Sequence, residues 1–455
     1  MHVVDSTLYL GKLAVPATPR AIRNAFVAEI RSMSVATRVW FGLLTVGLGI
    51  LGVCALLALP PGWEVMGTNP SFEWGLLIIG YVFFAIMTSG LCLASSLGTV
   101  FGVERFLPFE KRHAILALLS LTTAFLIIAL ELHYPIRMIF GAVLVIAPSS
   151  PMWWMGVFYG AYLVVLLVEV WTLFTDHPQI HKYACTTASV IGICAPATLG
   201  AVFGVLAAKP YWTGFFTPVL MIASAFVGGV SLLGIVFWGV SRYRLADHES
   251  SPIALGSVRL LLAGGLIVVS LLLARQIVDG LTSSIPGFRP STEALVSGPL
   301  AVQFWGIRVV LGILIPLGIL AVPRLRTPNM TGLAAGLALL GIFFDRTLFV
   351  IAGEIVPRTT MAGTVSYPYG DYSPSLVELG ILIGAASFMA MIYSLCERYL
   401  DMGEGDLHVF WPWPWIKKHD HEEHEGAEGH EPVPAPVGEA SGPDAIATAV
   451  AEGAQ

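Results

Sequence analysis

Glu131, His133, Tyr134 and Arg137 fall within seven residues of one another, directly after the uncharged run Ala114–Leu130. An acid, an imidazole, a phenol and a guanidinium at the lip of an apolar segment can do two things. They can anchor the segment at a membrane interface by snorkelling. They can also floor a pocket for an amphipathic ligand that carries two hydrogen-bonding oxygens on a greasy body. A quinone has that form, and its reduction takes up two electrons and two protons. His and Glu suit the proton transfers because burial tunes both toward neutral pH. Glu131 and His133 are therefore the expected proton carriers, with Tyr134 or Arg137 orienting a quinone oxygen.

The local sequence positions this group. Glu131 and His133 are two apart, so they do not share a helical face. Pro135 disfavours the α conformation at Tyr134 and should end the helix there. Ile136–Ala147 is apolar but only twelve residues long, too short to span, and suits an interfacial or re-entrant segment. Glu73, at the start of another apolar run, is the expected fifth member of the pocket.

Composition places these residues in a bilayer. The 455 residues are 56% hydrophobic and 12% charged, with a mean hydropathy of +0.78. A soluble chain is about a quarter charged. The sequence predicts an all-α integral membrane protein of ten transmembrane helices: Val39–Leu59, Trp74–Leu97, Ala114–Leu132, Trp153–Phe174, Cys185–Ala207, Phe215–Val240, Val258–Asp279, Val302–Val322, Gly332–Ile355 and Leu376–Leu400. The runs are continuous rather than alternating, which favours helices over strands as the spanning elements. With the N-terminus inside, seventeen Lys and Arg fall on the inner side. Four (Arg137, Lys209, Arg289, Arg358) fall outside. Both termini are then cytoplasmic in a cell inner membrane, and the opening group sits at the outer lip.

Residues 1–38 are read as a cytoplasmic segment with an amphipathic helix near Arg20–Val35 or a frayed basic tail, and no signal peptide is expected. Trp74–Gly90 and Trp212–Gly228 repeat one spacing. This suggests two parallel four-helix bundles, spans 2–5 and 6–9, flanked by spans 1 and 10. The divisions are 39–210 and 211–400. Residues 401–455 read as an aromatic interfacial anchor and a disordered acidic, His-rich tail, whose His419, His421, His424 and His430 are most simply solvated.

The five cysteines show no CxxC or iron–sulfur spacing. His113, His133, His177 and His181 fall at helix ends or in loops, so no haem, metal or other resident redox centre is expected. No nucleotide motif or basic excess points to nucleic acid. Other ionisable groups lie within spans, where each costs roughly 2.5–3.5 kcal/mol on insertion scales. Arg275 and Asp279 should pair i,i+4. Asp345 and Arg346 are adjacent, diverge by about 100° and should seek partners on other helices. Ion pairs locking spans 7–9 explain these groups most simply. Asp345, Arg346 and Glu169 can alternatively line a proton path, although Glu169, toward the inner end of span 4, is better read as an ordinary snorkelling acid. A secondary transporter or ion-translocating module without quinone chemistry is the rival reading.

The segments EWGLLIIGYVFFAIMTSG (73–90) and LELHYPIRMIF (130–140) resemble the NrfD/PsrC-like family of membrane subunits. The second is similar to that family's Asp-Leu-Gly-x-Pro-x-Arg stretch. Glu131 stands for the Asp, His133 for the Gly, and Pro135 and Arg137 match. Ten spans resemble the longer branch, the HybB, DsrP and alternative complex III types. The resemblance implies a quinone- or quinol-reactive subunit with no cofactor of its own, using menaquinone or ubiquinone as substrate. It also implies docking to a peripheral four-cluster iron–sulfur subunit, often beside a molybdopterin catalytic subunit.

Overall fold

The computed structural model describes residues 3–4, 7–10, 13–16, 27, 30–59, 65–69, 72–132, 146–175, 177–243, 250–356 and 369–400. Among the described residues, ten helices are long and apolar enough to cross a membrane: α1 Val35–Ala58, α2 Leu76–Thr99, α3 Glu110–Glu131, α4 Pro151–Leu173, α5 Pro178–Gly204, α6 Phe216–Tyr243, α7 Ser250–Thr282, α8 Gln303–Ala321, α9 Pro328–Glu354 and α10 Leu376–Tyr399. We call the end at which the even-numbered helices begin the rim, and the opposite end the base.

All ten predicted spans are present, but several start earlier than hydropathy suggests. α3 begins at Glu110 rather than Ala114, α5 at Pro178 rather than Cys185, and α7 at Ser250 rather than Val258. Helical hydrogen bonding continues past the apolar run, since breaking it near the bilayer orphans backbone groups. Proline at the first position opens α4, α5 and α9, where its missing N–H costs nothing. Ser34, Thr327 and Ser375 cap α1, α9 and α10 by accepting a backbone N–H.

In the first bundle, α2 packs on α3 and α5, and α4 closes the ring against the same two helices. In the second, α6 packs on α7 and α9, and α8 lies against α9 with its end against α7. α1 pairs with α10, which runs along α3 and α2. The seam between the bundles is chiefly α2 on α6, and α5 also packs on α6. A Cβ on Gly90 would overlap the Ala225 carbonyl, and one on Gly229 the Gly90 backbone. Small residues thus permit backbone contact where lipid supplies no hydrophobic drive. At the rim end of this seam Trp74 stacks on Trp212, with centroids 5.0 Å apart and planes at 16°. The repeated Trp-to-Gly spacing therefore places corresponding ends of α2 and α6 against each other.

Two features were not expected. A small antiparallel sheet forms from Val3–Val4, Thr7–Leu10 and Leu13–Pro16, with Leu8 opposite both Val3 and Val15. α8 opens as a π-helix, Gln303–Leu314, shortly before Pro316. Most of the predicted N-terminal amphipathic helix, the re-entrant segment and the tail lie outside the described residues.

Candidate functional site

The start of α2 organises the rim. Its N-cap is Gly75, which brings no side-chain acceptor, so groups distant in sequence satisfy the N–H groups at its start. The Trp74 N–H donates to Glu354 Oε2 at 3.1 Å, and the Leu76 N–H to the Tyr372 oxygen at 2.6 Å. Glu354 is the buried last residue of α9, and its Oε1 lies 3.9 Å from Lys209 Nζ. Glu378, in the first turn of α10, is fully buried. It accepts from the Tyr372 hydroxyl (3.1 Å), the Gly67 N–H (3.1 Å) and the Ser375 N–H (2.8 Å). Burial and then the Glu378 charge push the Tyr372 phenol well above its usual range, so it remains a donor.

Glu131 differs from these two acids. It is the last residue of α3, half-buried, and within charge range of Glu378 and Tyr372. Among the described residues it takes no hydrogen bond. Glu354 and Glu378 are committed to holding backbone; Glu131 is not. Glu73 is exposed in the turn before α2, and its backbone also reaches Glu354. His133, Tyr134 and Arg137 lie outside the described residues. Sequence reading missed Glu378 and Tyr372, and it placed Glu354 and Lys209 on the outer side without joining them to the pocket. The Ser375–Glu378 spacing was a legible signal, because it is a capping box and both of its hydrogen bonds are present.

A second polar group lies inside the base half of the first bundle. His181 Nε2 meets Glu110 Oε1 at 2.8 Å, and His181 Nδ1 meets Thr172 Oγ1 at 2.8 Å. His113 Nε2 meets Glu169 Oε1 at 2.9 Å. Cys185 Sγ bridges the pairs, 3.4 Å from His181 Nε2 and 3.6 Å from Glu169 Oε1. Glu110, His113, Glu169 and His181 are all buried. Toward the rim, Cys92 and Tyr162 adjoin His113 and Glu169, and Ser89, Tyr159 and Tyr81 follow. The hydroxyls of Ser89, Tyr159 and Tyr162, and Glu169 Oε2, have no hydrogen-bond partner among the described residues.

This corrects two expectations. Glu169 does not snorkel; it is 0% exposed and paired. His113 and His181 do lie at helix ends, in the first turns of α3 and α5, but those helices begin early enough to turn both rings into the bundle, where each faces a carboxylate.

The polysulphide reductase NrfD model matches residues 64–358. The chain belongs to the NrfD family. A selenate reductase subunit of Mesobacillus selenatarsenatis is 24% identical over 398 residues, covering 76% of this chain and 90% of that protein. The Hdr-like menaquinol oxidoreductase integral membrane subunit of Archaeoglobus fulgidus is 24% identical over 343 residues, covering 72% and 84%. The NrfD match runs over both bundles, α2 to α9.

In this NrfD chain the second bundle carries a buried ion group. Arg308 Nε donates to Asp345 Oδ1 at 2.7 Å, locking α8 to α9, and Arg346 bonds both Asp345 and the Met221 sulfur. Arg346 also lies over Phe349, 5.3 Å from its centroid. Asp345 thus finds its expected partner on another helix. The adjacent Arg346 reaches it as well, which simple divergence along a helix did not anticipate. Arg275 and Asp279 pair at 2.9 Å, but their side chains are 66% and 42% exposed, so this pair locks nothing to α8 or α9.

Proposed function

We propose that this chain is the quinone- or quinol-interacting membrane subunit of a respiratory iron–sulfur oxidoreductase complex, one in which molybdopterin sits in the catalytic subunit. It passes electrons between menaquinone or ubiquinone in the bilayer and a peripheral four-cluster iron–sulfur subunit. The observation that carries this reading is Glu131: a half-buried carboxylate at the rim, within charge range of Tyr372 and Glu378, with its oxygens uncommitted among the described residues. The relatives support it, since one is named as a reductase subunit and the other as an integral membrane subunit of a menaquinol oxidoreductase.

In this reading Glu131 and His133 hold and pass the protons that the quinone oxygens gain or lose. Tyr134 or Arg137 donates a hydrogen bond to one oxygen, and Glu73 borders the entrance. The rim faces the outside of the cytoplasmic membrane and both termini face inward, in keeping with the base cations Arg105, Arg112, Arg259, Arg324 and Arg326.

Of the three groups considered for proton movement, Glu169 is carried forward. It sits in the series Glu110–His181–Cys185–Glu169–His113, which leads from the base toward the partnerless hydroxyls. Asp345 and Arg346 belong instead to the ion group with Arg308, which joins α8 to α9 in the second bundle. The test uses the native complex, purified through a tag on this chain and reconstituted in liposomes. Quinol should reduce iron–sulfur clusters, or reduced clusters should reduce quinone. Glu169→Gln should preserve this exchange within about twofold while removing proton movement from the base side. A purified chain with no iron–sulfur companion, or solute uptake without quinone, contradicts the proposal.

A further inference from the structure

Two arginines at the base converge on one glycine of α7. Arg105 lies in the 3₁₀ turn Glu104–Phe109 that precedes α3. Its Nε donates to Ser257 Oγ at 3.1 Å, and that hydroxyl reaches back to the Arg105 carbonyl at 3.0 Å. Ser257 is fully buried, so this clamp fixes where the guanidinium lies. Arg259, half-buried on α7, donates from Nη1 to the Arg326 carbonyl at 2.7 Å. Both remaining Nη2 groups flank Gly256. They lie 3.5 Å (Arg105) and 3.7 Å (Arg259) from where a Gly256 Cβ would stand. Arg326 adds a third cation within charge range of Arg259.

Guanidinium groups gathered in this way repel one another and need an anion. Among the described residues no carboxylate pairs with Arg105, Arg259 or Arg326. Elsewhere at the base the chain does provide one: Arg112 pairs with Glu397 at 3.0 Å. The depth suits a headgroup. The α7 span Pro252–Thr282 has 31 residues. At 1.5 Å per residue it exceeds the roughly 30 Å hydrocarbon core by about 15 Å. Arg259, near its base end, therefore stands at the headgroup boundary. Trp238, near the base end of α6, is half-buried there, and its indole N–H bonds Asn329 Oδ1 at 3.0 Å. An indole with one wet edge marks the same level.

We propose that Arg105 and Arg259 bind a phosphate over Gly256, and that its source is the headgroup of an anionic phospholipid in the leaflet at the base. The two Nη2 groups donate to phosphate oxygens from two different elements, the turn before α3 and the start of α7. The lipid thereby ties the first bundle to the second at the base, as the aromatic stack ties them at the rim. The bare Cβ position of Gly256 leaves the oxygens room to approach.

The complex carrying the full chain is reconstituted in mixed vesicles of phosphatidylcholine and phosphatidylglycerol, re-extracted, and its retained lipid quantified by native mass spectrometry. The wild-type chain should retain phosphatidylglycerol over phosphatidylcholine. Arg105→Gln and Arg259→Gln should each lower that preference about fivefold, as expected for roughly 1 kcal/mol per surface cation. Gly256→Asp keeps both arginines and sets a carboxylate between them, where the Cβ meets only ordinary contacts. It should abolish retention with the unfolding midpoint unchanged. Arg289→Gln, at the rim, should have no effect. Equal retention by wild-type and Gly256→Asp chains overturns the proposal. Inorganic phosphate that displaces the lipid at millimolar concentration confirms the phosphate chemistry. Inorganic phosphate bound with no lipid preference overturns the lipid as its source.

Discussion

Replacing Glu131 and His133 together by Gln lowers quinol-coupled electron transfer by about a hundredfold or more, while the complex still assembles. General acid–base groups contribute roughly 10²–10⁴-fold to such steps. Assembly survives because Glu131 is half-buried and holds no backbone group among the described residues, so its loss leaves no buried donor unpaired. Glu378→Gln provides the contrast. Glu378 accepts from Gly67, Tyr372 and Ser375, so that variant loses fold at the rim before it loses chemistry. The check is steady-state quinol turnover beside subunit stoichiometry on a gel. Full turnover in the double variant removes the site assignment.

Replacing Asp345 by Asn costs about 3–5 kcal/mol of stability, the range for breaking a buried ion pair from one side. Asp345 is the carboxylate shared by Arg308 and Arg346, which are 1% and 0% exposed. Without its charge two guanidinium groups remain in the second bundle. Arg308 Nη1 and Nη2 and Arg346 Nε already lack hydrogen-bond partners among the described residues. The expected readout is a fall in the unfolding midpoint in detergent, with quinol turnover per folded complex retained. Unchanged stability would show that the two arginines are neutralised by something other than Asp345.

Much of the architecture was legible because the bilayer simplifies the code. Only a helix satisfies its own backbone in lipid, so ten apolar runs meant ten helices. Even the Trp74/Trp212 repeat carried information, since those two rings meet at the seam. In the sequence the candidate site shows itself where an acid, Glu131, breaks an apolar run; the structure adds that Glu131 is half-buried, while Pro135 and Arg137, which carry the family resemblance, lie outside the described residues. The site was illegible where partners lie far apart in sequence. Nothing near Trp74 announces Glu354 or Glu378, 280 and 304 positions later, as the groups that serve the start of α2. His113 and His181 were misjudged for a different reason. Hydropathy locates the apolar run rather than the helix end, so buried first-turn residues look like loop residues.

Quinone contact at the rim is tested most directly by photolabelling the native complex with an azidoquinone and mapping the adducts by mass spectrometry. The account predicts label between Glu131 and Arg137 and in the turn around Glu73, removed by excess quinol. Quinol-sensitive label confined to the base or to α6–α9, with none at the rim, would contradict it.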